Sequence, residues 1–210
     1  MIVATGVHPT GLGIADEQQL LGHGLGYLIA THAHLAAGRE VAVVGATERA
    51  LRGVAELVHI AARIILIASS AGALNSMLGQ RLRADPRVHL LEGYTVTELD
   101  ASDGAVHAIQ VARNGQVQRL PVQAVFVELG LVPNTHMVRQ IVRLDEHGFI
   151  VVDDHNQTSL PGLFAAGDVT SYLCEQILIA IGEGARAAQS AYDYSLVQRL
   201  GLDSIAIGTR

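Results

Sequence analysis

The chain has 210 residues, of which 50% are apolar and 16% are charged. This apolar content is enough to bury a sizeable core, which excludes disorder as the main state of the chain. The charged fraction lies below the roughly 25% of an ordinary soluble domain. We therefore expect another chain to cover part of the surface.

The charges also restrict the class of partner. The 20 acidic residues outnumber the 14 basic ones, the formal net charge is −6 and no basic run occurs, so a nucleic-acid partner is not expected. No apolar stretch approaches the ~20 residues of a membrane helix, and the N-terminus lacks the charged region of a secretion signal. The single cysteine, Cys174, excludes an internal disulfide. Together these features predict a cytoplasmic protein.

Short β-branched segments alternate with segments of helical period along the chain. The first strand is predicted at residues 2–5 and ends at Gly6. Residues 40–45 form the second predicted strand, a helical apolar stripe follows between Ala50 and Ala61, and residues 63–68 form the next strand. A strand, a helix and a parallel strand in this order indicate a right-handed βαβ unit. The predicted fold class is therefore α/β with a parallel sheet and helices.

The later elements include an antiparallel part. Asp103-Gly104 and Asn114-Gly115 favour tight hairpin turns, which predicts a meander over residues 94–125. The polar, glycine-rich residues 16–27 are interpreted as a connector. Further predicted elements are a helix at 73–83, a strand at 88–91, an apolar segment at 125–130, a return segment opening at 148–152, and a C-terminal helix whose packing stripe is Leu173, Ile177, Ile181, Gly184 and Ala188.

Several segments, taken in order, carry a resemblance to a known family. They are residues 2–6, the βαβ unit, residues 130–135 (Gly-Leu-Val-Pro-Asn-Thr) and residues 161–168 (Pro-Gly-Leu-Phe-Ala-Ala-Gly-Asp), the last continuing into residues 175–184. In this order they resemble the thioredoxin reductases and the alkyl hydroperoxide reductase flavoprotein. The resemblance covers about residues 2–196.

The resemblance implies a Rossmann-like FAD/NAD(P)-binding fold with an incomplete second dinucleotide domain. Residues 1–38 and 128–210 would form a partial FAD-binding-type domain, and residues 39–127 an inserted, degenerate NAD(P)-binding-type domain. The family's first strand and glycine-rich turn, which hold the FAD pyrophosphate, have no counterpart here and would lie upstream of Met1. We therefore expect only half of a FAD site.

Gly167 and Asp168 are the first candidates for that half-site. In the family such an aspartate faces the sugar-alcohol chain of the flavin, where a carboxylate accepts hydroxyl hydrogen bonds and a glycine lets the backbone approach. The alternative interpretation is that these two residues only turn the chain and cap a helix.

The resemblance adds two further pairs of FAD-binding candidates. Gln176 and Ile177 would start a helix whose free N–H groups could face the flavin ring, although the family prefers a basic residue where Glu175 stands. Thr5 and Gly6 would bring the backbone close to the cofactor, and the alternative is an ordinary strand ending.

The expected NAD(P) turn, residues 45–50, departs from the working pattern. A G-x-G-x-x-G/A turn uses its first glycine for the bend and its second to let the pyrophosphate reach the backbone. Gly45 and Ala46 keep the start of this turn, but Thr47 replaces the second glycine and Glu48 adds a negative charge. Residues 68–70 (Ala-Ser-Ser) offer neither the acid nor the arginines that recognise the ribose. We predict a retained fold that does not bind NAD(P)H.

No catalytic or metal-binding residue is predicted in this chain. The family's Cys-x-x-Cys aligns approximately with residues 29–32 (Ile-Ala-Thr-His), and dithiol exchange needs one thiolate to attack and a second thiol to resolve. His32 and His34 lack a third partner for a metal and are interpreted as solvent-facing. Cys174 is interpreted as a small helix residue.

The sequence therefore predicts a thioredoxin-reductase-like, FAD-dependent oxidoreductase relative without dithiol catalysis in this chain. A second polypeptide, or an undetected upstream extension, would supply the missing FAD half. The alternative is a non-catalytic scaffold with degenerate cofactor sites, most simply a homodimer. A reductase gene truncated at its start is the third interpretation.

Overall fold

The structure, a computed structural model, describes residues 1–171 and 176–202. Its contacts divide the chain into two compact units. The first unit consists of Met1–His8 and Leu131–Arg210, and the second consists of Pro9–Gly130. The chain thus starts in the first unit, forms the second and returns to the first.

The described helices and strands have the following bounds. The helices are α1 (Ile29–His32), α2 (Glu48–Leu57), α3 (Met77–Arg83) and α4 (Ile177–Leu200), and single 3₁₀ turns lie at Glu17–Leu20, Ala33–Ala36 and Gly72–Asn75. The strands are β1 (Ile2–Val3), β2 (Val7–Pro9), β3 (Leu25–Gly26), β4 (Glu40–Val44), β5 (Arg63–Ala68), β6 (Val88–Glu92), β7 (Thr95–Ser102), β8 (Ala105–Arg113), β9 (Gln116–Pro121), β10 (Ala124–Val127), β11 (Leu131–Pro133) and β12 (Phe164–Ala165).

A parallel sheet forms the centre of the second unit. Its strand order is β3-β10-β4-β5-β6, and each neighbouring pair is parallel. Alternate side chains of β4 and β5 enter two different cores, one beneath the helices and one beneath the meander. The apolar runs are therefore continuous because both faces of the sheet are covered. The predicted βαβ unit and the α/β class with a parallel sheet are confirmed.

Helix α2 forms where the sequence predicts it. The Thr47 hydroxyl accepts a hydrogen bond from the Ala50 N–H at 3.0 Å and caps the helix. Its buried stripe includes Gly53, where a Cβ would meet the Ile29 side chain at 2.5 Å, so only glycine lets α1 approach this closely. The buried positions of α2 are Ala50, Leu51, Gly53, Val54 and Leu57.

The predicted helix at residues 73–83 is interrupted. The Ser76 hydroxyl accepts from the Gly79 N–H at 3.2 Å, so α3 begins only at Met77 and a 3₁₀ turn precedes it. A serine side chain competes with the helical backbone for hydrogen bonds, which is why it favours a cap over a helix interior. The apolar period alone did not reveal this break.

The segment interpreted as a connector belongs to the sheet of the second unit. Leu25 and Gly26 of β3 pair in parallel with Val125 and Phe126 of β10. Residues 9–38 therefore cluster with the inserted unit, and its first boundary lies at Pro9 rather than near residue 39. A two-residue edge strand between glycines gives too weak a sequence period to be recognised.

The predicted antiparallel meander is confirmed. Strands β7, β8 and β9 pair as neighbouring antiparallel strands. Asp103, Gly104, Asn114 and Gly115 at the two turns all have positive φ, between 52° and 79°. Asn, Asp and Gly tolerate this left-handed conformation best, as two-residue hairpins require.

The first unit has a small core around two neighbouring parallel strands. Val3 of β1 pairs with Ala165 of β12, and β2 pairs with β11. Ile150, in the expected return segment, is fully buried and makes isolated bridges to Leu144 and Thr170. The core side chains are Val3, Val138, Val142, Ile150, Leu163, Ala165 and Val169.

Helix α4 packs with a different face from the predicted one. Its buried residues are Glu183 and Ala187, whereas Ile177 and Ile181 of the expected stripe are 80% and 62% exposed. The apolar period marks a face of the helix but not which surface covers it. Leu173 lies outside the described residues. In the part of the chain that the structure describes, no helix is long and apolar enough to cross a membrane.

Candidate functional site

The predicted FAD-binding residues of the first unit follow two adjacent strands. Because β1 and β12 are parallel neighbours in register at Val3 and Ala165, the segments that follow them emerge at the same edge. Thr5 and Gly6 follow β1, and Gly167 follows β12. The carboxyl ends of parallel strands are where α/β folds place their ligands.

Glu183, which the sequence did not single out, holds the turn at Gly167. Its carboxylate is 3% exposed and accepts the Gly167 N–H at 2.7 Å. The Thr170 hydroxyl lies 3.3 Å from the same carboxylate oxygen and 2.9 Å from the Gly167 carbonyl. A buried acid is stable only when it is hydrogen-bonded.

Asp168 has a different environment from Glu183. Its side chain is half-buried and has no hydrogen bond to the rest of residues 1–171 and 176–202. Gly167 has φ +75°, and a Cβ there would lie 3.5 Å from the Ala180 side chain of α4. Gly167 thus lies beside the first turns of α4, and the Asp168 carboxylate next to it has no partner among the described residues.

Asn134 fixes the backbone at Thr5 and Gly6. The Thr5 hydroxyl donates to the Asn134 carbonyl at 2.7 Å, and the Asn134 side-chain amide donates to the Thr5 carbonyl at 2.9 Å. The Asn134 N–H also donates to the Gly6 carbonyl at 3.0 Å. Gly6 has φ +63°, and a Cβ there would meet no described atom within 4 Å beyond its chain neighbours, so this edge stays open. The partners are 129 residues apart, which hides the contact from sequence reasoning.

The N-terminus of α4 presents both backbone donors and apolar side chains. Helix α4 begins at Ile177, as predicted, and Gln176 at its N-cap makes no side-chain capping bond. The first N–H groups of a helix have no partner within it. Ile177 and Leu178 are 80% and 81% exposed. Glu175 and Cys174 lie outside the described residues.

The NAD(P)-type turn of the second unit packs closely against the residue that follows β10. Gly45 has φ +140°, and a Cβ there would lie 2.3 Å from the Glu128 carbonyl oxygen. The Thr47 hydroxyl lies 3.2 Å from the same carbonyl oxygen, to which it donates. The Ala73 N–H donates to the Ala46 carbonyl at 2.7 Å, so a loop packs against the turn.

An internal ion pair lies at the same place, and the sequence did not predict it. The Arg49 guanidinium is 2.8 Å from the Glu128 carboxylate, which is 2% exposed. The other Glu128 oxygen accepts the Ile29 N–H at 3.0 Å. Glu128 directly follows β10 and Arg49 lies in the first turn of α2, after β4. This is the switch point of the strand order, where a doubly wound sheet binds its ligand.

The remaining positions discussed from the sequence lie in the second unit. Ser69 and Ser70 are exposed at the end of β5. His34 is exposed as expected, but His32 is half-buried and its Nδ1 lies 3.1 Å from the Leu28 carbonyl. No group of three or more potential metal ligands occurs among the described residues.

Comparisons with known proteins agree with this arrangement. The profile of the family described as pyridine nucleotide-disulphide oxidoreductase matches residues 1–184. The F subunit of alkyl hydroperoxide reductase from Pseudomonas putida is 33% identical over 197 residues, which are 92% of this chain and 38% of that protein. Its counterpart in Staphylococcus aureus (strain NCTC 8325 / PS 47) is 34% identical over 196 residues, 92% of this chain and 39% of that protein.

The match to solved structures covers a larger share of those chains than the match to the curated relatives does. Thioredoxin reductase from Streptococcus pyogenes MGAS5005 matches with a TM-score of 0.84 and 29% identity, covering 93% of this chain and 65% of that one. Lactococcus lactis thioredoxin reductase matches with a TM-score of 0.69 and 26% identity over the same shares. The chain thus spans less than two-fifths of the curated relatives.

Proposed function

The chain belongs to the pyridine nucleotide-disulphide oxidoreductase family, and from this premise we propose that it binds one side of a FAD molecule whose other side is bound by a second polypeptide. Its fold is the Rossmann-type FAD/NAD(P) fold of the thioredoxin reductases. The proposed cofactor contacts are Thr5, Gly6, Gly167, Asp168, Gln176 and Ile177. A cytoplasmic location stays a prediction of the sequence.

The residues of the first unit fit one side of a flavin nucleotide. The free Asp168 carboxylate can accept hydrogen bonds from sugar hydroxyls. The open backbone at Gly6 and Gly167 permits close approach, and the N–H groups at the start of α4 can face an electron-rich ring edge. Bound FAD would supply electron-transfer chemistry, while these residues bind and orient it.

The exposed start of α4 is the observation that carries the two-chain proposal. Ile177, Leu178 and Ile181 are 62% to 81% exposed on one helix beside the proposed cofactor contacts. Large apolar groups clustered on a surface are typical of a binding interface. A polypeptide that completed the FAD site would cover them and remove their apolar area from water.

We further propose that this chain performs neither nicotinamide binding nor dithiol exchange. This proposal is supported by Thr47, which replaces the second glycine of the turn, and by the Arg49–Glu128 pair at the switch point of the strand order. Residues 29–32 form a short helix without sulfur. Electrons would therefore enter and leave a bound flavin through groups outside the described part of this chain.

Flavin retention tests the proposal directly. The chain is purified alone and after co-expression with an N-terminal flavin-half polypeptide of the Pseudomonas putida relative, and the flavin absorbance per chain is measured. We expect little flavin on the chain alone and about one flavin per complex. Asp168→Ala should weaken retention at least tenfold, and the control Asp154→Ala, an exposed aspartate, should not. A colourless preparation in both arms would contradict the proposal.

The exposed face of α4 also favours the alternative function, a non-catalytic homo-oligomeric scaffold. A second copy of the chain could cover Ile177, Leu178 and Ile181 in a twofold interface. Light scattering separates the two functions. A stable, colourless dimer supports the scaffold, whereas a monomer that binds flavin only beside the second polypeptide supports the split flavoprotein.

A further inference from the structure

The second unit contains a cavity that the sites described above do not use. Its volume is about 440 Å³, within the range of small-molecule sites. It lies at β3, the edge strand of the parallel sheet, against β10 and α1. Leu25 and Phe126 are the buried part of its wall, and Leu35 is at its exposed side.

Arg39 is the charged side chain in the lining of this cavity. Arg39 and His32 line it, and no carboxylate of the described residues does. The Arg39 guanidinium has no hydrogen bond or ion pair with another described residue, although five other arginines of the chain are ion-paired. His32 donates its Nδ1–H to the Leu28 carbonyl, which leaves Nε2 as a hydrogen-bond acceptor.

We propose that this cavity binds a small amphipathic carboxylate. The carboxylate would pair with the Arg39 guanidinium at the exposed mouth. The apolar part would lie against Phe126, beside Gly26. A guanidinium binds a carboxylate through charge-assisted hydrogen bonds, and a single guanidinium neutralises a single negative charge. A neutral apolar ligand would leave Arg39 unused, and an amphipathic cation would be repelled by it.

Gly26 keeps the cavity open. A Cβ at this position would meet the Phe126 ring at 3.6 Å, an ordinary contact distance, and the Gly26 φ is not in the left-handed region. A valine at position 26 is therefore compatible with the strand backbone, but its branched side chain would occupy ligand space.

The test is a calorimetric titration of the full chain with decanoate, decanol and decyltrimethylammonium, all below micelle formation. We expect decanoate to bind about tenfold more tightly than decanol, since one charge-assisted contact is lost, and the cation not to bind. Arg39→Gln should weaken decanoate about tenfold and leave decanol unchanged. Arg52→Gln, at an exposed arginine on α2, is the matched control and should change neither.

Two further variants locate the binding. Gly26→Val should abolish binding of both decanoate and decanol, with folding checked by circular dichroism. Leu35→Glu changes an exposed residue at the mouth of the cavity and should weaken the binding of decanoate but not that of decanol. This variant locates the binding site if Gly26→Val does not fold. Equal affinities for decanoate and decanol, an unaffected Arg39→Gln, or no decanoate binding would each overturn the proposal.

Discussion

The carboxylates at the expected ligand sites of the two units differ in their hydrogen bonding. In the first unit the Asp168 carboxylate has no hydrogen bond to another described residue, while Glu183 holds the turn beside it. In the second unit the Glu128 carboxylate is bound internally by Arg49 and the Ile29 N–H. A carboxylate without a partner among the described residues is what the proposed FAD half-site needs, and an internal ion pair at the second site agrees with the proposal that this unit does not bind a nucleotide.

The largest expected effect comes from breaking the internal ion pair. Glu128→Ala leaves the Arg49 guanidinium, which is only 25% exposed, without its carboxylate, and should lower the free energy of unfolding by about 3 kcal/mol. Chemical denaturation measures this change. The double variant Arg49→Met with Glu128→Leu should recover most of the loss. If Glu128→Ala were neutral, the pair would not stabilise the second unit.

A matched pair of glycine variants separates a closed turn from an open one. Gly45→Ala puts a Cβ 2.3 Å from a backbone oxygen at φ +140°, and should cost about 2 kcal/mol or more. Gly6→Ala meets no atom within 4 Å at φ +63°, and should cost about 1 kcal/mol from backbone strain alone. Thermal unfolding compares the two, and equal losses would contradict the contrast.

Removing the buried Glu183 carboxylate of the first unit should lower the free energy of unfolding by as much as Gly45→Ala does, or slightly less. Glu183→Ala leaves the Gly167 N–H without its acceptor and should cost about 1–2 kcal/mol. Glu183→Gln keeps an acceptor oxygen and should lose less. In the two-chain complex, Glu183→Ala should also release flavin faster because the turn before Asp168 is no longer held. Unchanged stability and flavin retention would remove the proposed positioning role.

The smallest expected effect concerns Tyr27 of the second unit, whose hydroxyl donates a hydrogen bond to the buried Glu17 carboxylate. Burial and the Glu17 carboxylate, which accepts the Tyr27 hydroxyl at 2.7 Å, raise the pKa of Tyr27 from 10.0 to about 12. The folded state therefore favours the neutral phenol. This contribution to stability is complete below pH 10 and is lost as the pH rises towards 12. Tyr27→Phe should remove this decrease in the free energy of unfolding between pH 10 and 12. If the variant kept the same pH dependence as the parent chain, Tyr27 would not be its cause.

Sequence reasoning recovered the features that depend on local pattern. The parallel strands, helix α2 and the turns at Asn114-Gly115 follow from β-branched runs, apolar period and left-handed propensity. These features need only neighbouring residues.

The missed features depend on residues that are distant in sequence. Glu128 reaches Ile29 across 99 positions, and Asn134 reaches Thr5 across 129, so no local pattern reveals either contact. The stripe on α4 was assigned to the wrong surface because an apolar face looks the same whether this chain or another covers it. The exposed Ile177 and Ile181 are therefore the most informative of the corrected predictions.

The most direct test of the contrast between the two units is a calorimetric titration of the chain with NADH and with NADPH. The closed turn at Gly45 and Thr47 and the Arg49–Glu128 pair predict no binding of either nucleotide up to millimolar concentration. A sub-millimolar dissociation constant for one of them would contradict the account.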